Sequence, residues 1–161
     1  RHTRCSRDWS SDVCSSDLAF ALAVREGPFL VKPNEIELAE WAGRPLGSEK
    51  EERKAVQQLS EAGGTWVLYS RGARGAWLVH AGLGSGWEAT GDTIEVRNTV
   101  GAGDAVLAAA CSAIEKGLDP VEWLRLGMEA GRAATSVPPG CLPRRGTGRD
   151  GIRIRELGSL G

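Results

Sequence analysis

The run Thr65–Tyr69 (TWVLY) constrains the fold of this chain more than any other segment. It is apolar and rich in β-forming residues without a polar alternation, so a strand made from it must be covered on both faces. A second apolar run, Ala76–His80 (AWLVH), follows after a short glycine-containing segment. Because such strands alternate with helix-forming stretches, we expect an α/β fold: a mostly parallel sheet with helices on both faces.

Turn and cap signals divide the rest of the chain into short elements. Further strands are predicted at Phe29–Val31, Gly86–Thr90 and Thr93–Arg97. Helices are predicted over residues 19–25, 34–41, 49–62, from the Gly-Ala-Gly segment to about 117, and 121–135. The tail from Arg144 onward is basic and glycine-rich, and its weak pattern predicts no element.

The composition gives no reason to expect a nucleic-acid or membrane partner. The formal net charge is -1, so the chain has no electrostatic attraction to a polyanion. No apolar run approaches the length of a membrane span. The four cysteines (Cys5, Cys14, Cys111, Cys141) form no C-x-x-C pair, so neither a zinc site nor a disulfide framework is expected. Reduced thiols in a cytoplasmic protein are the simplest interpretation.

The N-terminal segment has a different character from the rest of the chain. The stretch Arg7–Leu18 (RDWSSDVCSSDL) is what translation of a common sequencing-adapter oligonucleotide gives. It is rich in serine and aspartate, lacks an apolar face, and has no continuous apolar region of the kind a secretion signal needs. We therefore expect residues 1–18 to be read-through sequence without ordered structure, and residues 19–161 to be the native part.

The segment Asn98–Ala105 (NTVGAGDA) carries the strongest chemical signal. Two glycines let the backbone turn close to a ligand, and the helix that follows presents unpaired amides at its positive end. This arrangement suits a phosphoryl group, and Asp104 stands where a carboxylate can accept a proton from an attacking hydroxyl. The structural alternative is a plain turn with Asp104 as the helix N-cap.

Two more motifs have both a structural and a functional interpretation. Ser70–Gly75 (SRGARG) lies between the two apolar runs, as either a hairpin turn or a backbone loop at the edge of a nucleotide site. In Lys32–Leu38 (KPNEIEL), Asn34 and Glu37 have the spacing of a capping box. The same two side chains have the chemistry to face Mg²⁺ and its waters.

The order and spacing of the three motifs resemble the ribokinase-like sugar kinases, and within them the phosphofructokinase B and 1-phosphofructokinase branch. The matching patterns are KPN-x-x-E-L after a strand, S-x-G-x-x-G between strands and T-V-G-A-G-D at the start of a helix. The late segment AGRAATSVPPGCLP is similar to that branch as well. The resemblance runs from about Phe29 to Pro143. It implies the C-terminal half of a ribokinase-like, three-layer α/β/α domain.

The resemblance also implies site residues. Asp104 matches the catalytic base, and the anion hole matches Gly101, Ala102 and Gly103. The residues implied in ATP binding are Ser70, Arg71, Gly72, Ala73, Arg74, Gly75, Thr99 and Val100. Asn34 and Glu37 match the pair tied to Mg²⁺ and phosphate, and Lys32 assists them. A monovalent cation such as K⁺ is implied near the anion hole, with Asn98, Val100 and Gly140 as candidates.

The implied activity is phosphorylation of a sugar phosphate by ATP, with fructose 1-phosphate or fructose 6-phosphate as acceptor. Other acceptors of the family stay open, namely tagatose 6-phosphate, ribose or a nucleoside, and so does an inactive nucleotide-binding fragment. The N-terminal half supplies most sugar contacts in this family, so the chain alone is expected to be nearly inactive and only the full-length protein to form a homodimer. Arg71, Ala105 and Cys141 depart from the residues usual in this branch.

Overall fold

The computed structural model describes residues 13–138, 141, 143 and 148–158 of the protein. The helices are α1 (Val13–Arg25), α2 (Glu35–Trp41), α3 (Glu49–Gly63), α4 (Ala102–Glu115) and α5 (Pro120–Thr135). The strands are β1 (Leu30–Val31), β2 (Trp66–Ser70), β3 (Ala76–His80), β4 (Ser85–Thr90) and β5 (Arg153–Glu156). Within these ranges, none of the helices combines the length and the apolar character needed to cross a membrane.

The strands form a single sheet in the order β1-β2-β3-β4-β5. β1 runs parallel to β2, with Leu30 opposite Trp66, whereas the other three pairs are antiparallel. The described strands thus form a mixed sheet, where the sequence predicted mostly parallel pairing. For the β2-β3 and β3-β4 pairs the reason is the length of the links: residues 71–75 and 81–84 close hairpins, and a parallel neighbour would need a crossover of a dozen residues or more.

Helices cover both faces of this sheet. On one face, alternate residues of β2 and β3, such as Val67 and Trp77, pack against α1, α2 and α3. On the other face, their neighbours in sequence, such as Leu68 and Leu78, pack against α4 and α5. Since successive side chains of a strand point to opposite faces, this double cover explains why both runs are apolar throughout. The expected α/β class, with three layers, is confirmed.

The chain departs from the predicted elements at its two ends and before α4. Thr93–Arg97 is not a strand, because the open edge of β4 is occupied by β5, which the sequence pattern does not predict. The amides of Asp92 and Arg97 instead bond to the carbonyls of Gly151 and Thr135. Helix α1 begins at Val13 and so includes residues 13–18, which composition predicts to lack order. Residues 1–12 lie outside the described ranges.

Candidate active site

The start of α4 offers unpaired backbone amides in an open position. Gly101 caps the helix with φ +78°, a left-handed conformation that glycine adopts without strain. The amide of Ala105 donates to the carbonyl of Gly101 at 2.9 Å, and that of Ala102 donates to Thr99 at 3.3 Å. Among the described residues, the amides of Gly103 and Asp104 have no acceptor. Two free donors at the positive end of a helix are the groups that a bound anion needs.

Asp104 occupies the third position of α4, and its side chain is exposed. The cap position belongs to Gly101, so the alternative in which Asp104 merely caps the helix does not describe this structure. No described residue donates a hydrogen bond to its carboxylate, which leaves both oxygens available to a substrate hydroxyl. The carboxylate therefore lies within one helical turn of the two free amides. A proton acceptor that acts beside a bound phosphate needs to be this close.

Lys32 extends from the end of β1 to the start of α4. A Cβ atom added to Gly103 would stand 3.1 Å from the Lys32 Nζ, so the ammonium group lies directly over the glycine. The flanking residues Val31 and Pro33 are buried and fix the backbone from which the side chain extends. A positive charge and two free amides thus converge on one small volume, which favours a bound anion.

The Asn34–Glu37 pair forms the predicted capping box at the start of α2. The Asn34 Oδ1 accepts hydrogen bonds from the amides of Ile36 and Glu37 at 2.9 and 3.0 Å, and the Glu37 Oε2 accepts from the Asn34 amide at 2.8 Å. The predicted capping box is therefore present in the structure. The second carboxylate oxygen of Glu37 receives no hydrogen bond from the described residues, so it is available to a metal-bound water.

Magnesium fits this arrangement only in its usual manner, through few protein groups. In the described part of the chain, no group of three or more histidine, cysteine, aspartate or glutamate side chains is placed to hold a metal ion. Mg²⁺ commonly binds through one or two carboxylates together with substrate phosphates and waters. Glu37, at the start of α2, has one carboxylate oxygen free of hydrogen bonds from the described residues and is the candidate for such a carboxylate.

The loop Ser70–Gly75 is joined to the other motifs through the segment after β1. The amide and the hydroxyl of Ser70 both donate to the Pro33 carbonyl, at 3.0 and 3.3 Å. Residues 72–74 form one exposed 3-10 turn. At its end Arg74 pairs with Glu35, in the first turn of α2, and with Glu52 of α3. The three sequence motifs thus meet around residues 32–35.

Arg71 differs from the rest of the loop because its side chain is only 3% exposed. The guanidinium group lies under the loop, in ion pairs with three glutamates, and not on the surface where a nucleotide would bind. Only the backbone of Arg71 remains a candidate for contact with ATP. Of the other predicted loop residues, Gly72, Ala73 and Arg74 are exposed, Ser70 is half-buried and Gly75 is buried.

Ion pairing stabilises the charged forms of two residues beside the loop, Arg74 and Glu49. The hydrogen bonds that Arg74 donates to Glu52 and Glu35 raise the pKa of its guanidinium group. A hydrogen bond from Arg53 lowers the pKa of the Glu49 carboxyl against a smaller effect of burial, and the charge of Arg71 lowers it further. Arg74 and Glu49 therefore keep their charges at neutral pH.

A pocket of about 300 Å³ adjoins the start of α4. Its walls come from the segment before α4, from α4 and α5, and from the chain after α5. They include Asn98, Val100, Ala105, Ala134 and Cys141. Val100 is 80% exposed, which is unusual for a valine and leaves an apolar wall uncovered. Of the K⁺ candidates, Asn98 and Val100 line this pocket, while Gly140 lies outside the described residues.

The α5 side of the pocket was not predicted from the sequence. Three alanines near the C-terminal end of α5 (Ala130, Ala133, Ala134) form that wall. The signal for them is the small-residue run AGRAATS, which leaves room for a ligand against the helix. The end of α5 also holds the segment before α4, since the Thr135 carbonyl accepts from the amides of Arg97 and Asn98 at 2.8 and 3.2 Å.

Comparison with known proteins identifies the family. A 1-phosphofructokinase of Haemophilus influenzae is 37% identical over 123 residues, which are 76% of this chain and 39% of that protein. The structure of phosphofructokinase-2 from Escherichia coli in complex with substrates and products matches with a TM-score of 0.72 and 29% identity, over 79% of this chain and 41% of that one. Arabidopsis thaliana ribokinase complexed with ribose and ATP matches with a TM-score of 0.62 and 26% identity, over 73% of this chain and 37% of that one.

This chain therefore spans about two fifths of the length of the relatives it resembles. The family model for pfkB family carbohydrate kinases matches residues 8–143. That match covers most of the chain and includes all three motifs. The chain belongs to the pfkB family of carbohydrate kinases.

Proposed function

We propose that this chain is the nucleotide-binding and phosphoryl-transfer part of an ATP-dependent sugar-phosphate kinase, with fructose 1-phosphate or fructose 6-phosphate as acceptor. The observation that carries the proposal is the convergence at the start of α4: two free amides, the Lys32 ammonium and the exposed Asp104 carboxylate. The choice of a fructose phosphate is supported by the names of the relatives, 1-phosphofructokinase and phosphofructokinase-2. Ribose, tagatose 6-phosphate and nucleosides are the competing acceptors.

In this proposal each group has one task in the transfer step. Asp104 accepts the proton of the sugar hydroxyl while the hydroxyl oxygen attacks the γ-phosphorus. The bond from that phosphorus to the bridging oxygen breaks, and ADP leaves. The amides of Gly103 and Asp104 and the Lys32 ammonium stabilise the negative charge on the migrating phosphoryl group. Mg²⁺, when bound near Glu37, neutralises charge on the phosphates.

The remaining nucleotide would extend from the anion site along two surfaces. The pocket beside Val100 has the apolar walls and the volume to take an adenine ring. The exposed backbone at Gly72–Arg74 is the candidate for contacts on the other side. Asn98 and Val100 remain the described candidates for a monovalent cation near the anion site.

The proposal is tested with Asp104→Asn in an active background. A chimera that joins the upstream part of the Haemophilus influenzae 1-phosphofructokinase to residues 19–161 supplies the acceptor side, and the parent chimera must turn over fructose 1-phosphate. We expect Asp104→Asn to lower turnover by about 10²–10⁴-fold, because the proton acceptor is lost. The dissociation constant for ATP, measured by calorimetry, should stay the same.

Glu115→Gln is the matched control, since Glu115 is an exposed carboxylate at the other end of the same helix. It should leave turnover unchanged. Normal turnover by Asp104→Asn would remove Asp104 from the role of base and with it the proposed mechanism.

A second candidate function is nucleotide binding without turnover. It is favoured because the chain spans only 39% of the length of the Haemophilus influenzae relative. A base and an anion site catalyse little when no other part of the protein positions the acceptor. On its own the chain should therefore bind Mg-ATP in calorimetry and form no sugar bisphosphate. Turnover of a fructose phosphate by the isolated chain at a normal rate would contradict this.

A further inference from the structure

Arg71 is the most deeply buried charged residue of the loop Ser70–Gly75, and it contacts three carboxylates at once. Its Nε donates to Glu52 at 3.2 Å, its Nη1 to Glu88 at 3.1 Å and its Nη2 to Glu49 at 3.2 Å. The guanidinium carbon lies 4.0 Å from the centre of the Trp77 ring. A planar cation held by three partners and one aromatic face has a single possible orientation.

Apart from Arg71 and the half-exposed ion pairs of Arg74, the loop is held mainly at its two ends. Its first residue is tied to the Pro33 carbonyl, and at its far end the Arg71 amide bonds to the Gly75 carbonyl at 2.8 Å. Gly75 has φ +96° and packs so closely on Ala89 that any Cβ would clash with the carbonyl there. Between these points the turn is exposed and carries no buried side chain except that of Arg71. Arg71 therefore supplies the buried anchor of the turn, while the half-exposed Arg74 supplies a second one through Glu35 and Glu52.

Each buried carboxylate around Arg71 has a second arginine. Glu52 also pairs with Arg74, at 2.6 Å, and Glu88 also pairs with Arg155 of β5. Removal of Arg71 consequently leaves neither carboxylate without a cation, so the variant keeps its two buried charges compensated. This separates the effect on the loop from a general loss of folding.

We propose that Arg71 is a positioning residue, whose buried ion pairs hold the loop Ser70–Gly75 in the conformation that binds nucleotide. The inference rests on the proposed function, because the nucleotide is the ligand that the loop would face. Arg71 itself does not touch the nucleotide. It acts through the backbone of residues 72–75, which its side chain fixes relative to α3 and β4.

The first measurement concerns the loop alone and needs no ligand. In Arg71→Met, the amide hydrogens of Arg71, Arg74 and Gly75 should exchange about tenfold faster than in the wild-type chain, since local opening releases only these turn bonds. Amides in β3 should keep their rates. The control is Arg155→Met, which removes a cation from the same Glu88 but lies outside the loop. It should leave loop exchange unchanged.

The second measurement is calorimetric binding of a nonhydrolysable ATP analogue with Mg²⁺. If only about one tenth of the Arg71→Met molecules hold the loop in the binding conformation, the dissociation constant rises about tenfold. Arg71→Lys keeps the charge but cannot reach three carboxylates, so its dissociation constant should lie in between. If Arg71→Met fails to fold, Arg71→Lys provides the test of the positioning role. Arg155→Met should bind like wild type.

The outcomes separate this inference from the proposed function. Wild-type loop exchange in Arg71→Met overturns the positioning role, whatever the binding result. Faster exchange with an unchanged dissociation constant overturns the link to nucleotide. No binding by the wild-type chain contradicts the proposed function, while the exchange data still decide whether Arg71 holds the loop. Faster exchange together with weaker binding, both absent in Arg155→Met, supports the inference.

Discussion

Lys32 reaches from the end of β1 to the start of α4 through one flexible side chain. Its backbone is fixed by buried neighbours on each side, and its ammonium group lies over Gly103. A lysine at this point acts as a point charge toward a phosphate and offers nothing to an adenine ring. Its contribution should therefore depend on how many phosphates the ligand carries.

We expect Lys32→Met to weaken ATP binding by about tenfold or more, since hydrogen bonds to charged groups are worth about 1.5–3 kcal/mol. Adenosine binding should not change. Calorimetry with both ligands measures the two effects, and Lys54→Met, which removes an exposed lysine from α3, is the control. Equal losses for ATP and adenosine would show that Lys32 supports the fold and does not contact phosphate.

At the scale of elements, α4 and α5 pack so closely that two glycines of α5 contact Val106. A Cβ at Gly131 would lie 2.6 Å from the Val106 Cγ2, and one at Gly127 would lie 3.2 Å from the Val106 carbonyl oxygen. Val106 is buried, and a β-branched side chain in a helix has little rotamer freedom to move aside. This contact sets the position of the α5 wall relative to the start of α4.

Gly131→Ala should destabilise the protein by about 1 kcal/mol, because overpacking of about 1–3 kcal/mol exceeds the gain in helix propensity of about 1 kcal/mol. In a Val106→Ala background the clash is gone, and the same substitution should become stabilising. Urea unfolding of the four proteins measures this change of sign. Gly127→Ala is the graded control and should be close to neutral. Destabilisation by Gly131→Ala in both backgrounds would contradict the packing argument.

The elements that the sequence predicts well are those specified by local patterns. The capping box of Asn34 and Glu37 fixes the start of α2, and continuous apolar runs require strands covered on both faces. Strand pairing is harder to predict from the sequence. Thr93–Arg97 has a strand-like composition, yet it is β5 that pairs with the edge of β4. Competition between two segments for one edge is a tertiary property that neither segment encodes alone.

The candidate site likewise contains some features that the sequence predicts and others that it does not. Asp104 and the glycines before it are recognisable from residue type and order, since helix starts and turns are local features. The burial of Arg71 is not, because its glutamate partners lie 17 to 22 residues away along the chain. The α5 wall of the pocket depends likewise on how two helices pack.

At the scale of the whole molecule, one buried ion cluster connects five parts of the chain. Glu88 of β4 accepts hydrogen bonds from Arg71 of the loop and from the Trp77 indole of β3, at 3.1 and 3.0 Å, and it also pairs with Arg155 of β5. Glu52 of α3 joins the same cluster through Arg71. The cluster therefore links the sheet edge to α3 and to the loop Ser70–Gly75.

Glu88 makes the stability of this assembly depend on pH in the acid range. Burial disfavours its ionised form, but the hydrogen bonds from Trp77 and Arg155 and the charges of Arg155 and Arg71 outweigh burial and lower its pKa below the ordinary value of 4.5. The unfolded chain takes up this proton near 4.5. The contribution of Glu88 to stability is thus complete at pH values well above 4.5, and it is lost as pH falls through the folded-state pKa.

Glu88→Gln tests this dependence, because glutamine cannot take up the proton. At neutral pH the variant should be less stable than wild type by about 2 kcal/mol, the usual value of hydrogen bonds to a charged group. Below pH 4.5 the difference between the two free energies of unfolding, measured in urea, should shrink. Glu95→Gln, which removes a carboxylate from an exposed pair with Arg97, is the control and should stay within about 1 kcal/mol of wild type. A difference for Glu88→Gln that is constant from pH 7 to acid would mean that the folded protein does not favour the ionised carboxylate.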